Sequence, residues 1–153
     1  MDKPPGHRAL RRGRFSATGQ VYFLTTTTTR RMPLFCDWES ALLACRTIAD
    51  PQTWGDARLL CWVLMPDHWH GLVRIGERDP LPFVASRFKA CISRAVRGGP
   101  YGPAPVWARA YHDRALRRDD DLVTMARYVI LNPVRAGLVS RVNDYPFWDA
   151  MWL

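Results

Sequence analysis

A chain of 153 residues, 48% hydrophobic and 24% charged, has the size and composition of one soluble globular domain, or one domain with a tail, and not of a disordered chain. Its longest apolar run, Leu59 to Met65, is seven residues, far short of the ~20 that a membrane helix needs. Met1 to Gly6 lacks the apolar core of a secretory signal, so a membrane protein is excluded and a cytoplasmic location is expected. The net charge is +8, and 20 of the 22 basic residues are arginine, the exceptions being Lys3 and Lys89. Guanidinium groups fork onto phosphate and stack on bases, so the charge points to an anionic partner.

Residues 1–15 read as a basic, flexible arm containing Lys3, Arg8, Arg11, Arg12 and Arg14, followed by a single domain over 16–153. Gln20 to Thr29, rich in β-branched and aromatic residues, predicts a strand. Asp37 can cap a helix whose stripe is Trp38, Ala41, Leu42, Cys45, Ile48 and Ala49, ending at Pro51. Arg58 to Met65 is apolar on both faces, with Leu59, Cys61 and Val63 on one side and Leu60, Trp62 and Leu64 on the other, as a central strand covered twice would be. Pro66-Asp67 is turn chemistry, and His68 to Ile75 returns as the second strand of a hairpin. A helix from Leu81 to Arg97 turns Leu81, Val84, Ala85, Phe88, Ile92 and Ala95 inward and stops at Gly98-Gly99-Pro100. Val106 to His112 alternates as a short strand. Asp119 to Leu131 makes the third helix, with Leu122, Met125, Ala126 and Val129 inward. The order β-α-β-β-α-β plus a helix predicts an α+β fold, ferredoxin-like, with a four-stranded antiparallel sheet, two helices on one face and the third helix on the other. Cys36, Cys45, Cys61 and Cys91 lack Cys-x-x-Cys spacing and sit in apolar patterns, which reads as buried free thiols.

His68-Trp69-His70 opens the returning strand. Alternate residues of a strand share a face, so the two imidazoles point together and Trp69 points the other way. Such a pair can hold one metal ion, though alone it is more often structural. Tyr128 and Asn132 lie one turn apart on the third helix; alone, they read as a core-edge aromatic and a helix stop. If that helix covers the open sheet face, a phenol, an amide oxygen and two imidazoles converge into a divalent-cation site suited to a phosphodiester. The cation would orient and polarise the phosphate, which a phenol of pKa ~10 attacks poorly unaided.

Met65-Pro66-Asp67-His68-Trp69-His70-Gly71-Leu72-Val73 resembles the HUH motif of single-tyrosine transposases. Tyr128-Val129-Ile130-Leu131-Asn132-Pro133-Val134-Arg135-Ala136-Gly137-Leu138-Val139 resembles the second hallmark of the REP-associated tyrosine transposases. The likeness runs along most of the chain, through Tyr22-Phe23-Leu24-Thr25, Phe88-Lys89 and Trp107 to Leu116. It implies metal-dependent nicking and strand transfer of single-stranded DNA at hairpin, REP-like sequences through a covalent 5′-phosphotyrosine. Residue by residue, it implies His68 and His70 as metal ligands, Asn132 as the polar group completing the site, and Tyr128 as the nucleophile. The implied metal is Mg²⁺ or Mn²⁺, imidazole being softer than Mg²⁺ prefers. Trp69 is larger than the usual central residue of the motif, which bears on packing because it faces away from the ligands.

Candidate phosphate contacts are Arg11, Arg12 and Arg14 of the arm, Arg87, Lys89, Arg94 and Arg97 of the second helix, Arg114, Arg117 and Arg118 before the third, and Arg135 beyond it. Trp107 and Tyr111 suit either the core or stacking on unpaired bases. The competing reading is a catalytically inactive regulator that binds hairpin DNA or RNA. A zinc hydrolase ranks lower for want of a third ligand. The sequence leaves the oligomeric state, monomer or dimer, open.

Overall fold

The computed structural model describes residues 17–97, 102, 104–117 and 121–152; the basic arm, with Arg11, Arg12 and Arg14, and Arg118 lie outside the described residues. The β-branched and aromatic run forms β1 (Val21–Thr27). Asp37 caps α1 (Trp38–Ala49), accepting from the Ser40 N–H at 2.9 Å and the Ser40 hydroxyl at 2.7 Å. Pro51 ends that pattern by opening a one-turn helix of its own, α2 (Pro51–Trp54), capped by Asp50. The hairpin β2 (Arg58–Met65) and β3 (His68–Arg74) follows, then α3 (Leu81–Val96). β4 (His112–Ala115), α4 (Leu122–Ile130), α5 (Asn132–Arg135) and β5 (Trp148–Ala150) complete the described elements.

The fold is α+β, with a five-stranded antiparallel sheet in the order β4-β1-β3-β2-β5. β3 lies between β1 and β2, and β1 between β3 and β4, so each β-α-β unit is split by a strand of the other. One face packs under α1, α2 and α3, around Tyr22, Leu24, Trp62, Leu64, Trp69, Val73 and Phe88. The other packs under α4, around Val21, Leu60, Cys61, Val63, Leu72, Ala126, Val129 and Ile130.

Several expectations need correcting. The sheet has five strands, because Trp148–Ala150 pairs with β2 and the Tyr145 hydroxyl anchors the preceding segment by donating to Leu64 O at 2.5 Å. Three residues at a sheet edge carry too little periodicity to read in advance. The strand expected over Val106 to His112 is displaced to His112–Ala115, and Trp107 makes only an isolated bridge to Thr28. The Lys89 ammonium explains the shift: it donates to the carbonyls of Ala108 (2.8 Å), Arg109 (3.1 Å) and Ala110 (3.1 Å) and draws them out of any ladder.

In β2 the pairing jumps from Leu59–Val73 to Cys61–Leu72. This bulge adds one residue and reverses the alternation, so Leu60 joins Cys61 and Val63 under α4 while Leu59 packs on the opposite side. The stripe of α1 is rotated towards Ser40, Ala41, Ala44 and Ile48, and Trp38 is exposed, lying against Phe147 at 5.2 Å between ring centroids. All four cysteines are free, yet only Cys61 is buried; Cys36 is exposed and Cys45 and Cys91 are half-buried.

Trp69 is fully buried, 4.4 Å from the Phe88 ring and 5.8 Å from that of Trp54. Its six-membered ring lies across Gly71, two residues on and on the same face, where a Cβ would stand inside van der Waals contact. Gly71→Ala is therefore expected to destabilise the fold by about 1–3 kcal/mol through overpacking, read as a lower urea midpoint at unchanged slope.

Candidate active site

Because β3 alternates, burying Trp69 under α3 sends His68 and His70 to the face covered by α4. The register sets Thr25 of β1 opposite His70 and Thr27 opposite His68. The two imidazole centroids are 4.7 Å apart with the rings at 73°. Each Nδ1 has a partner: His70 Nδ1 is 2.7 Å from Thr25 Oγ1, and His68 Nδ1 is 2.7 Å from Asp67 Oδ1. A carboxylate can only accept, so the Nδ1–H of His68 donates to Asp67, which orients the ring. The Thr25 hydroxyl serves His70 in the same way when Nδ1–H donates to it. Burial, with the charges of His68, Arg135 and Arg31 adding to it, pushes the His70 imidazole down to about 3, so it is neutral at physiological pH, the form that ligates.

Asp67 also receives the Nε–H of Arg31 at 3.0 Å. Partial burial opposes its ionisation, but the His68 hydrogen bond and the charges of His68 and Arg31 outweigh that and hold the carboxyl below its ordinary range. Arg31 reaches Asp67 from an unusual backbone. Arg30 and Arg31 have φ of 55° and 56°, successive left-handed conformations that cost side-chain-bearing residues roughly 1–2 kcal/mol each. Thr28 fastens this turn to the histidine turn: its N–H donates to Asp67 O at 2.9 Å, and its hydroxyl bridges Met32 O and Asp67 O at 2.7 and 3.0 Å.

The tyrosine comes from the helix layer. Asp121 caps α4 through the Val123 N–H and the Thr124 hydroxyl, whose hydrogen bonds hold its carboxyl below the usual range. Ala126, Val129 and Ile130 then press α4 onto the sheet, leaving Tyr128 at its edge with 51% of its surface exposed. Phe23 joins the two layers. Its ring stacks on His70 at 5.3 Å and meets Tyr128 edge-on at 6.3 Å. The Arg135 guanidinium lies 3.9 Å above the centroid of the Tyr128 ring, a cation–π distance.

Asn132 begins α5, half-buried, one turn beyond Tyr128. Among the described residues no hydrogen bond joins its amide to either imidazole, and no group of three His, Cys, Asp or Glu side chains forms a ready-made metal centre. The donor set present is thus two imidazoles on one face, each with its Nδ1 engaged from behind, and that set fits a divalent cation with open positions.

The cations singled out from sequence divide between the two faces. Arg114 stands opposite Phe23 in the β1–β4 pairing, on the histidine face, with its guanidinium 3.6 Å from Met125 Sδ, and Arg135 caps Tyr128. Arg117 is exposed just past β4. Arg87, Lys89, Arg94 and Arg97 belong to α3 and its end, on the far side of the sheet. Arg87 is held by Thr53 O (3.1 Å), Trp54 O (3.0 Å) and Asp79 (2.8 Å), and Lys89 by the carbonyls already described, so both have internal structural partners. The residues that sequence reasoning missed are Phe23, Thr25, Arg31 and Asp67. Asp67, adjacent to a candidate ligand, was the one detectable signal; the others depend on strand register and on a loop conformation.

No protein-family model matches the chain. It is 28% identical over 94 residues to a candidate REP-associated tyrosine transposase of Haemophilus influenzae, covering 55% of this chain and 53% of that protein. To a REP-associated tyrosine transposase of Escherichia coli it is 28% identical over 86 residues, 56% of this chain and 50% of the other. The chain thus spans about half the length of the curated relatives it matches. Among solved structures it is similar to a REP-associated tyrosine transposase bound to a REP hairpin, with a TM-score of 0.68 at 24% identity over 88% of this chain and 79% of that one. It is also similar to a candidate transposase from Deinococcus radiodurans, with a TM-score of 0.53 at 18% identity over 94% and 97% of the two chains. At these identities the two structures establish a shared fold. The two motifs, on the strand and helix that bring them to one face, together with these relationships, make the chain similar in sequence and in fold to the REP-associated tyrosine transposases.

Proposed function

We propose that the chain nicks and rejoins single-stranded DNA beside hairpin, REP-like sequences, with Tyr128 as nucleophile and a divalent cation held by His68, His70 and Asn132. One observation carries the reading: Phe23 touches both His70 and Tyr128, so the imidazole pair and the phenol share one surface of the sheet. That the structurally similar transposase was solved with a REP hairpin supports the choice of substrate. Mg²⁺ or Mn²⁺, when bound, supplies charge that polarises the scissile phosphate.

The chain's own residues do the rest. The Tyr128 hydroxyl attacks phosphorus in line, forming the tyrosyl O–P bond as the P–O3′ bond breaks. The phenol gives up its proton and the departing 3′ oxygen takes one up, so the number of phosphate ester bonds is unchanged and the ester can be passed to another 3′ hydroxyl. Arg135, stacked on the ring, holds the phenol in one orientation and offers its fork to the neighbouring phosphates. Arg31 and Arg114 add positive charge along the same surface. Asp67 and Thr25 keep the imidazoles aimed.

Incubating the protein with a labelled single-stranded hairpin and Mn²⁺ is expected to yield a denaturant-stable protein–DNA adduct that Tyr128→Phe abolishes while retaining affinity. Affinity without an adduct across metals and sequences would instead identify a hairpin-binding regulator. Asp67→Ala removes the acceptor that fixes His68, and Mn²⁺ affinity measured by calorimetry should fall roughly 10–100-fold with the unfolding midpoint little changed. Affinity for single-stranded DNA should decline with salt by about 0.7 log units per log unit for each phosphate neutralised, and Arg114→Gln should lower that slope by roughly one such contact.

A further inference from the structure

We infer that a second pocket, at the end of the sheet next to the histidine turn, receives one unpaired nucleobase of the bound strand. The inference rests on the single-stranded DNA reading above and adds a base-recognition site to it. The pocket has a volume of about 420 Å³ and lies between the extension of β1 beyond Thr27, the C-terminal half of α3 and the segment around Trp107, within the ~300–1,000 Å³ of small-molecule sites.

Three features select its occupant. Met32, Leu34, Val96 and Val106 give it apolar walls suited to a flat ring. Trp107 also lines it, 93% buried, against Phe35 at 5.6 Å and Phe88 at 5.8 Å. Among the described residues the buried Trp107 indole N–H has no acceptor, and the buried Thr29 hydroxyl, from another lining residue, likewise has no partner. Buried polar groups are rarely left unmatched, because each costs about 1–3 kcal/mol. Two such groups around one apolar cavity call for a ligand with ring-like faces and a polar edge that accepts from an N–H and can exchange a hydrogen bond with a hydroxyl. A nucleobase has that form. Arg97 and Arg109, exposed and lining the same cavity, are suited to the phosphates on either side of it.

The pocket is built into the histidine turn. Thr29 N–H donates to Val106 O at 3.0 Å and Ala108 N–H to Thr27 O at 2.9 Å, so the Trp107 segment continues the sheet edge. Thr28, bridged to Trp107 and bonded twice to Asp67 O, belongs to both the pocket wall and the turn that carries His68. A base seated here fixes the strand relative to the reacting phosphate.

The test measures affinity by fluorescence anisotropy for a hairpin oligonucleotide with single-stranded flanks, one abasic site being moved along the flanks. In the wild type one flank position should lower affinity roughly tenfold when its base is removed. Ser93→Leu, which fills the cavity from α3, should bind the intact strand about that much more weakly and lose the position dependence. Trp107→Phe, which removes the N–H, should change which base is preferred there. Ala90→Leu, from the same helix, serves if Ser93→Leu does not fold. A wild-type complex with no sensitive position, or the same sensitivity in a folded cavity-filled variant, overturns the pocket while leaving adduct chemistry through Tyr128 intact. Absence of any complex with single-stranded DNA overturns the reading beneath it, and binding with a sensitive position but no adduct overturns the chemistry and retains the pocket.

Discussion

Trp69 decides where chemistry can occur in this fold. Its ring is fully buried against Trp54 and Phe88 and lies across Gly71, an arrangement that a smaller or polar residue would not hold. Because a strand has a period of two, fixing Trp69 inward fixes both His68 and His70 outward. A slip of one residue would bury two imidazoles in an aromatic core and expose an indole. The bulky central residue of the motif, which looks at first like an awkward fit, is therefore the registration pin of the site. Gly71 is its counterpart, because the ring needs the space a side chain would fill.

The polar half of the site is built from the ends of elements. Asp67, in the hairpin turn, and Thr25, across from His70, each engage an Nδ1. Arg31 grips Asp67 from two successive left-handed residues. That backbone is held because Thr28 ties it to the hairpin turn with two hydrogen bonds to Asp67 O and closes on Met32 O with a third. Strain concentrated beside a candidate ligand, compensated by bonds to that ligand's own turn, is the pattern of a preorganised site. The same Thr28 forms the wall of the Trp107 pocket, so the candidate site and that pocket share one corner of the fold.

The helices and the central hairpin were legible because their signals are long: 3.6-residue stripes on α3 and α4, and a doubly apolar β2. Alternation failed within β2 because the bulge at Leu59–Cys61 depends on pairing with β3, and pairing is a property of two segments. The edge strands failed for related reasons. β5 is three residues long, and β4 was displaced by Lys89, whose carbonyl contacts span about twenty positions. In the site, His68, His70, Tyr128 and Asn132 stood out as chemistry-bearing residue types in recognisable spacing. Phe23 and Thr25 did not, since a phenylalanine and one threonine among five in a row acquire meaning only from the register that sets them beside His70.

Charge shows the same division. A net +8 suggests a uniformly polyanion-seeking surface, yet Arg87 and Lys89 donate to backbone carbonyls, and Arg87 also to Asp79, and so serve the fold. On the histidine face Arg31, Arg114 and Arg135 surround the candidate site; past the sheet end Arg97 and Arg109 border the Trp107 cavity. Two separated clusters joined by the Thr28 corner suit a flexible strand bent around an edge better than a straight duplex lying on a flat face, because a single strand can turn its backbone between clusters at little elastic cost whereas a duplex resists bending. The distribution of guanidinium groups is therefore consistent with the unpaired strand of the proposed function, a distinction that composition alone could not draw.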